Sequence, residues 1–203
     1  MLMKRTPPGG MRHSGCSVAF LLALLTVAGH ADASVTVHAL GNLTAGSCNI
    51  VLDTRDDKLQ MRGVLASEFD TQQTASIMPF QMIVENCNGT QVGGTFDVTV
   101  SGKTLTTGAN VFNDNSAEDV GFMLKENGNA TPNYWAGTLQ GYYTAAGTVV
   151  PGIPTQTTVL QEADPLSTRL NYFLGFVTPK MGGGVDATPR HVTATIEFNV
   201  NYH

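Results

Sequence analysis

The chain has 203 residues, 11 of them Lys or Arg and 16 Asp or Glu, for a formal net charge of −5. So few cations, with no basic cluster, argue against nucleic acid or anionic membrane as a partner. With 22 glycines and only 13% charged residues, the composition describes a turn-rich β protein rather than a helical one.

The elements begin with an export signal over residues 1–33. Lys4, Arg5 and Arg12 form a basic lead-in, Val18–Ala28 is an apolar run broken only by Thr26, and Ala31-Asp32-Ala33 gives the small-x-small pattern of a cleavage site. The apolar run is far short of the roughly 20 residues a membrane helix needs, so membrane insertion of the mature chain, expected to start at Ser34, is not predicted. Cys16 lies before the apolar run rather than at the cleavage point, and is discarded with the leader. That leaves Cys48 and Cys87. An even count in an exported protein implies a disulfide. A two-ligand metal site is the rival, and it lacks His or Cys partners at ligand spacing. Closing a loop of about 39 residues contributes roughly 3–4 kcal/mol. Cys48→Ser is therefore expected to lower stability by a few kcal/mol; equal denaturant midpoints for reduced and oxidised protein would count against the bond.

Period-two alternation dominates the mature chain. Strands are predicted over Cys48–Leu52, Leu59–Leu65, Phe80–Asn86, Thr95–Ser101, Val120–Glu126 and Leu170–Thr178. The turn signals Asn88-Gly89, Gly93-Gly94, Asn127-Gly128, Pro151-Gly152 and Gly182-Gly183-Gly184 separate them. Short strands at this spacing in a single domain predict an antiparallel sandwich. Residues 131–165 are harder to read. Tyr134, Trp135, Tyr142 and Tyr143 could stack on sugars, but wall and rim packing is the commoner use of such rings.

No catalytic constellation is present, and no cofactor or metal is implied. Gly102-Lys103-Thr104 has only the tail of a phosphate loop and reads as a turn. The mature chain retains three histidines, His38, His191 and His203, two of them near its ends. Asp114, Glu118 and Asp119 lack the spacing and central glycine of a calcium loop. An enzyme is not expected.

The two mature termini carry the functional signal. At the start Val35, Val37, Ala39, Gly41, Leu43 and Ala45 share one face; at the end Val192, Ala194, Ile196, Phe198, Val200 and Tyr202 do the same. A signal peptide is followed by the arm SVTVHALGNLTAGSC, with Gly41 ahead of Cys48. The second cysteine stands in MIVENC, the strand DVGFMLKENG lies mid-chain, and the C-terminal strand has the penultimate aromatic Tyr202. In this combination the chain resembles the chaperone–usher (type 1-like) fimbrial subunits of Gram-negative bacteria. One departure is Arg190, at the position where such subunits usually carry glycine.

The resemblance implies an all-β fold, an incomplete immunoglobulin-like antiparallel β-sandwich completed by a donor strand from another subunit. Residues 1–33 are then the signal peptide, 34–47 the donor arm and 48–203 the pilin domain. Val35, Val37, Ala39, Gly41 and Leu43 would fill a neighbour's groove, Gly41 where the pocket is too shallow for a side chain. Val192 to Tyr202 would line the groove and meet a periplasmic chaperone during assembly. The implied partners are that chaperone, an outer-membrane usher and neighbouring pilins, in export through the periplasm to a cell-surface fimbrium that supports adhesion. A strand docking in this way obtains affinity from main-chain hydrogen bonds and register from side-chain pockets. Two readings rival this one: residues 34–45 as merely the first strand of a complete sandwich, and an exported carbohydrate-binding β-sandwich using the four aromatics.

Overall fold

The computed structural model describes residues 31–41, 47–53, 57–88, 95–127, 134–159 and 168–202. The predicted leader up to residue 30 and Leu43 lie outside the described residues. So do the side chains of Cys48, Cys87, Ala39 and Tyr202, although their backbones fall within strands.

The strands are β1 (Ala31–Gly41), β2 (Ser47–Leu52), β3 (Lys58–Val64), β4 (Thr74–Asn88), β5 (Thr95–Gly102) and β6 (Thr104–Leu105). They continue as β7 (Gly108–Phe112), β8 (Gly121–Glu126), β9 (Pro154–Val159), β10 (Thr168–Val177) and β11 (Val192–Tyr202). A 3-10 turn spans Ala66–Phe69, and the short helix α1 spans Leu139–Tyr142. The strands form two facing sheets, one in the order β3-β1-β11-β5-β9 and the other β2-β4-β10-β8-β7-β6. This is the immunoglobulin-like sandwich expected of alternating strands, each turning one face inward.

The alternation translates directly into burial. Val192, Ala194, Ile196, Phe198 and Val200 of β11 are buried, while their neighbours Thr193 and Asn201 are exposed. Opposite them β10 supplies Leu170, Tyr172, Leu174 and Phe176 to the same core. Tyr172 joins the sheets: its ring stacks on Phe80 at 5.4 Å and meets Phe198 edge-on at 5.3 Å.

Three elements escape the periodicity, each for a physical reason. The strand predicted from Phe80 starts at Thr74 and runs through Pro79. In that half β4 pairs with β10 alone, so the missing proline N–H falls where a free edge tolerates it. β9 is an edge strand hydrogen-bonded to β5 alone, and its Thr-rich sequence carries no apolar face. β6 and β7 form a short hairpin whose register shifts between Thr104 and Leu105, which breaks any simple alternation.

The outer face of the β4-β10-β8 region carries a second, smaller core. Met123, Phe173, Val177, Leu105 and Val111 pack there under the buried ring of Tyr142, with Trp135 and Tyr143 against them. Trp135 meets Tyr142 and Phe173 edge-on, at 4.9 Å and 5.4 Å. Gly175 makes this possible: a Cβ there would stand 2.1 Å from Tyr142 Cε1. The ring therefore lies flat on the strand, its hydroxyl 2.9 Å from the Met123 carbonyl and 3.0 Å from that of Phe173. Gly175→Ala overpacks this contact and is expected to destabilise by about 1–3 kcal/mol or more, whereas Tyr142→Phe forfeits only the hydrogen bond, about 1 kcal/mol. Urea midpoints of the two variants measure the difference; a harmless Gly175→Ala would contradict the packing.

Lys125 is buried in the same cluster. Its ammonium donates to the Ala145 carbonyl and, at 2.6 Å, to Thr148 Oγ1, and sits 5.2 Å from the centre of the Tyr142 ring. Burial away from water lowers its pKa to about 8. An unfolded chain, with lysine near 10.4, holds more protons than the folded one between those values. Stability is thus expected to rise with pH from about 8 to about 10. Above that the trend reverses, because burial raises Tyr142 and Tyr172 and favours their protonated, folded forms. Lys125→Met should remove the rise; an identical pH profile of urea midpoints for wild type and variant would refute it.

Candidate functional site

The N-terminal arm lies in the middle of a sheet of its own chain. β1 runs between β3 and β11, antiparallel to the first and parallel to the second. Ala33 stands opposite Val192, Val35 opposite Ala194, Val37 opposite Ile196, Ala39 opposite Phe198 and Gly41 opposite Val200. The alternation read from the sequence holds where side chains are described: Ala33, Val35 and Val37 are buried, Ser34 and His38 exposed. The strand starts at Ala31, ahead of the expected mature terminus, and Ala31 pairs with Val64 of β3.

This parallel pair is unusual in an otherwise antiparallel sheet, since parallel pairing is slightly weaker per residue and needs a long connection. Here the connection is the whole domain, because the paired strands are its first and last. Nothing but β1 separates β3 from β11. Withdrawing it opens a slot walled by β11 and floored by core side chains, and leaves two strands with unpaired edges. The strand expected to line a groove and the strand expected to donate are thus paired within one chain.

At the β11-start end of the slot lies a small apolar cavity of about 20 Å³, lined by Val64, Phe69, Phe176, Val185 and Val192, with Arg190 at its rim. It is not legible in the sequence, because strands far apart in the chain meet there with a 3-10 turn and an irregular loop that have no periodicity.

The Arg190 departure has a structural account. Its Nε lies 2.8 Å from Glu118 Oε2, and its other nitrogens pair with Asp119 and Asp186. Asp119 also accepts from the Asp186 backbone N–H at 2.7 Å and pairs with Lys180 at 3.4 Å. Where glycine would give a loose turn, the arginine clamps the loop leading into β11. The acidic group Asp114, Glu118 and Asp119 is likewise engaged: Asp114 Oδ1 accepts the Thr195 N–H at 2.8 Å, and the other two hold Arg190.

Of the four aromatics weighed as a sugar platform, Tyr142 is buried, and Trp135 and Tyr143 pack against the second core. Tyr134 alone is largely exposed, at 64%. The described geometry offers no stacking face built from them.

The model of the family described as fimbrial protein matches residues 33–203. The chain belongs to that family. It is a pilus subunit, of a structural family whose members are exported to the cell surface and polymerise with their neighbours. Its fold is similar to that of the P pilus rod subunit PapA, with a TM-score of 0.54 at 15% identity over 77% of this chain and 99% of that one. A chain from a chaperone–usher pilus structure concerned with rod uncoiling matches equally, at TM-score 0.54 and 15% identity, over 77% of this chain and 87% of that one. A search of the curated proteins finds no match. This fimbrial subunit therefore has the sandwich of the chaperone–usher pilins, with β1 seated between β3 and β11.

Proposed function

We propose that the subunit polymerises by strand exchange: its N-terminal arm leaves its own groove and enters that of a neighbour, while another arm replaces it. The supporting observation is the place of β1, a central strand that belongs to the rest of the fold only through its groove contacts and the segment 42–46. Such a segment can be traded between identical chains, its apolar face entering the same slot in a neighbour, as in a domain swap.

The donated arm runs antiparallel to β11, the orientation with the better hydrogen-bond geometry. Keeping Val37 opposite Ile196 then brings Ala39 to Ala194, Gly41 to Val192 and Leu43 level with Arg190, beside the empty cavity. An apolar group entering there gains roughly 25 cal/mol per Å² of surface removed from water. With the arm withdrawn the slot is an open edge and an aggregation hazard, which is the reason for a periplasmic chaperone to supply a strand and an outer-membrane usher to order the exchange. Cys48 and Cys87 form the disulfide that fixes β2 beside the end of β4. The role is structural, without catalysis.

Cysteine pairs test the register. Cα atoms of bridged cysteines lie about 4.4–6.8 Å apart, within reach of paired strand residues. The variant carrying Val35→Cys and Ala194→Cys is expected to close within the monomer. The one carrying Ala39→Cys and Ala194→Cys is expected to form an intermolecular ladder on polymerisation. If Ala39→Cys never links chains, or if only the intramolecular bond appears in assembled fibres, arm exchange in this register is wrong.

A further inference from the structure

We propose that Met181 and the glycine-rich tip that carries it form a second contact between successive subunits, docking on the end of the donor's sandwich from which the donated arm emerges. The inference rests on the arm-exchange reading and goes beyond the groove.

Met181 is 83% exposed, more than any other large apolar side chain described, and it is held out on an organised loop. Lys180 donates to the Gly184 carbonyl at 3.0 Å, folding the tip onto itself. Gly182, Gly183 and Gly184 follow with φ of 78°, 86° and 82°, a left-handed run that residues with a side chain rarely adopt. Below the tip, Thr178 Oγ1 donates to the Asp119 carbonyl at 2.7 Å, and the Asp186 backbone N–H to the Asp119 carboxylate. Arg190 ties both sides to Glu118. A pinned loop that presents a flexible thioether to water has little order left to lose on docking.

The occupant follows from chain length. The tip lies at the end of the sandwich where β11 begins. An antiparallel donated arm enters the acceptor with Leu43 at this same end, and only Thr44, Ala45 and Gly46 separate it from the donor's β2. Three extended residues reach about 10 Å. The donor's body is therefore held against the loops at 65–73 and 178–191 of the acceptor, in a head-to-tail contact that repeats along the fibre. The donor surface brought there is the end marked by Ser47 and Asn88, which pair where β2 starts.

Peroxide footprinting reads this directly, with the buried Met82 and Met123 as internal references. In the full-length mature monomer Met181 is expected to oxidise far faster than both. In polymers of the same chain it is expected to be protected roughly tenfold, in line with the dependence of oxidation on exposure. The Gly41→Arg chain, unable to donate its arm, should keep the monomer rate at any concentration. Met181 reacting as fast in wild-type polymer as in monomer would overturn the contact and leave arm exchange intact. A wild-type chain that forms no polymer, or a Gly41→Arg chain that polymerises equally well, would sink the arm-exchange reading and this inference with it.

Discussion

Gly41→Arg is expected to give a folded subunit that does not polymerise. In the self-inserted state Gly41 is the last residue of β1, opposite Val200, and no pairing with β11 follows it. In the donated orientation the same residue lies inside the arm, with Leu43 still to be seated beyond it, opposite Val192, which is 2% exposed. A guanidinium placed there without a partner costs several kcal/mol, comparable with the whole stability margin of a domain. The substitution therefore separates folding from assembly, where a core mutation would damage both. Size-exclusion chromatography and electron microscopy decide it. A monomer with wild-type unfolding behaviour is the expected result; fibres of ordinary length would contradict the register.

Phe198→Asp should have the largest effect on the subunit itself. Phe198 is fully buried and lies edge-on to Tyr172 at 5.3 Å and to Phe80 at 6.2 Å. Losing a buried phenylalanine costs about 3–5 kcal/mol through cavity formation, and a carboxylate in its place adds a desolvation penalty. Because β11 is both a core strand and the neighbour of β1, the variant is expected to lose its packing and its own first strand together, and with them the strand that the proposal gives to chaperone capture. Steady-state subunit in the periplasm is expected to fall to near nothing. Unchanged levels would show that β11 is not the strand on which capture depends. A charged residue at Tyr202 acts on the same strand nearer its end and should be milder.

The sequence made the sandwich legible because β5 and β11 alternate cleanly, as a strand packed on one face must, and because β8 and β10, buried on both faces, read as short apolar runs. All four start within two residues of where the pattern puts them. β9 and the β6–β7 hairpin were illegible: edge strands need no apolar face, and Pro154 and Gly108 read as turn residues. The arm's alternation was equally visible, but its address was not. Val35, Val37 and Ala39 are small and apolar in either direction, so the pattern fits a self-inserted parallel strand and a donated antiparallel one. The role of Arg190 was hidden because Glu118, Asp119 and Asp186 meet it only in the folded chain. Gly175 offered a missed clue, a glycine inside a strand pattern, explained once the Tyr142 ring is seen lying across it.

The most direct test of strand exchange is thermal unfolding of the mature protein lacking residues 34–45, with and without a synthetic peptide of that sequence. Strand exchange predicts a low melting temperature for the truncated chain, and a slow, large rise when the peptide enters the slot between β3 and β11. A truncated chain that is already as stable as the whole protein, and indifferent to the peptide, would mean that no groove exists and that the first strand is only a strand.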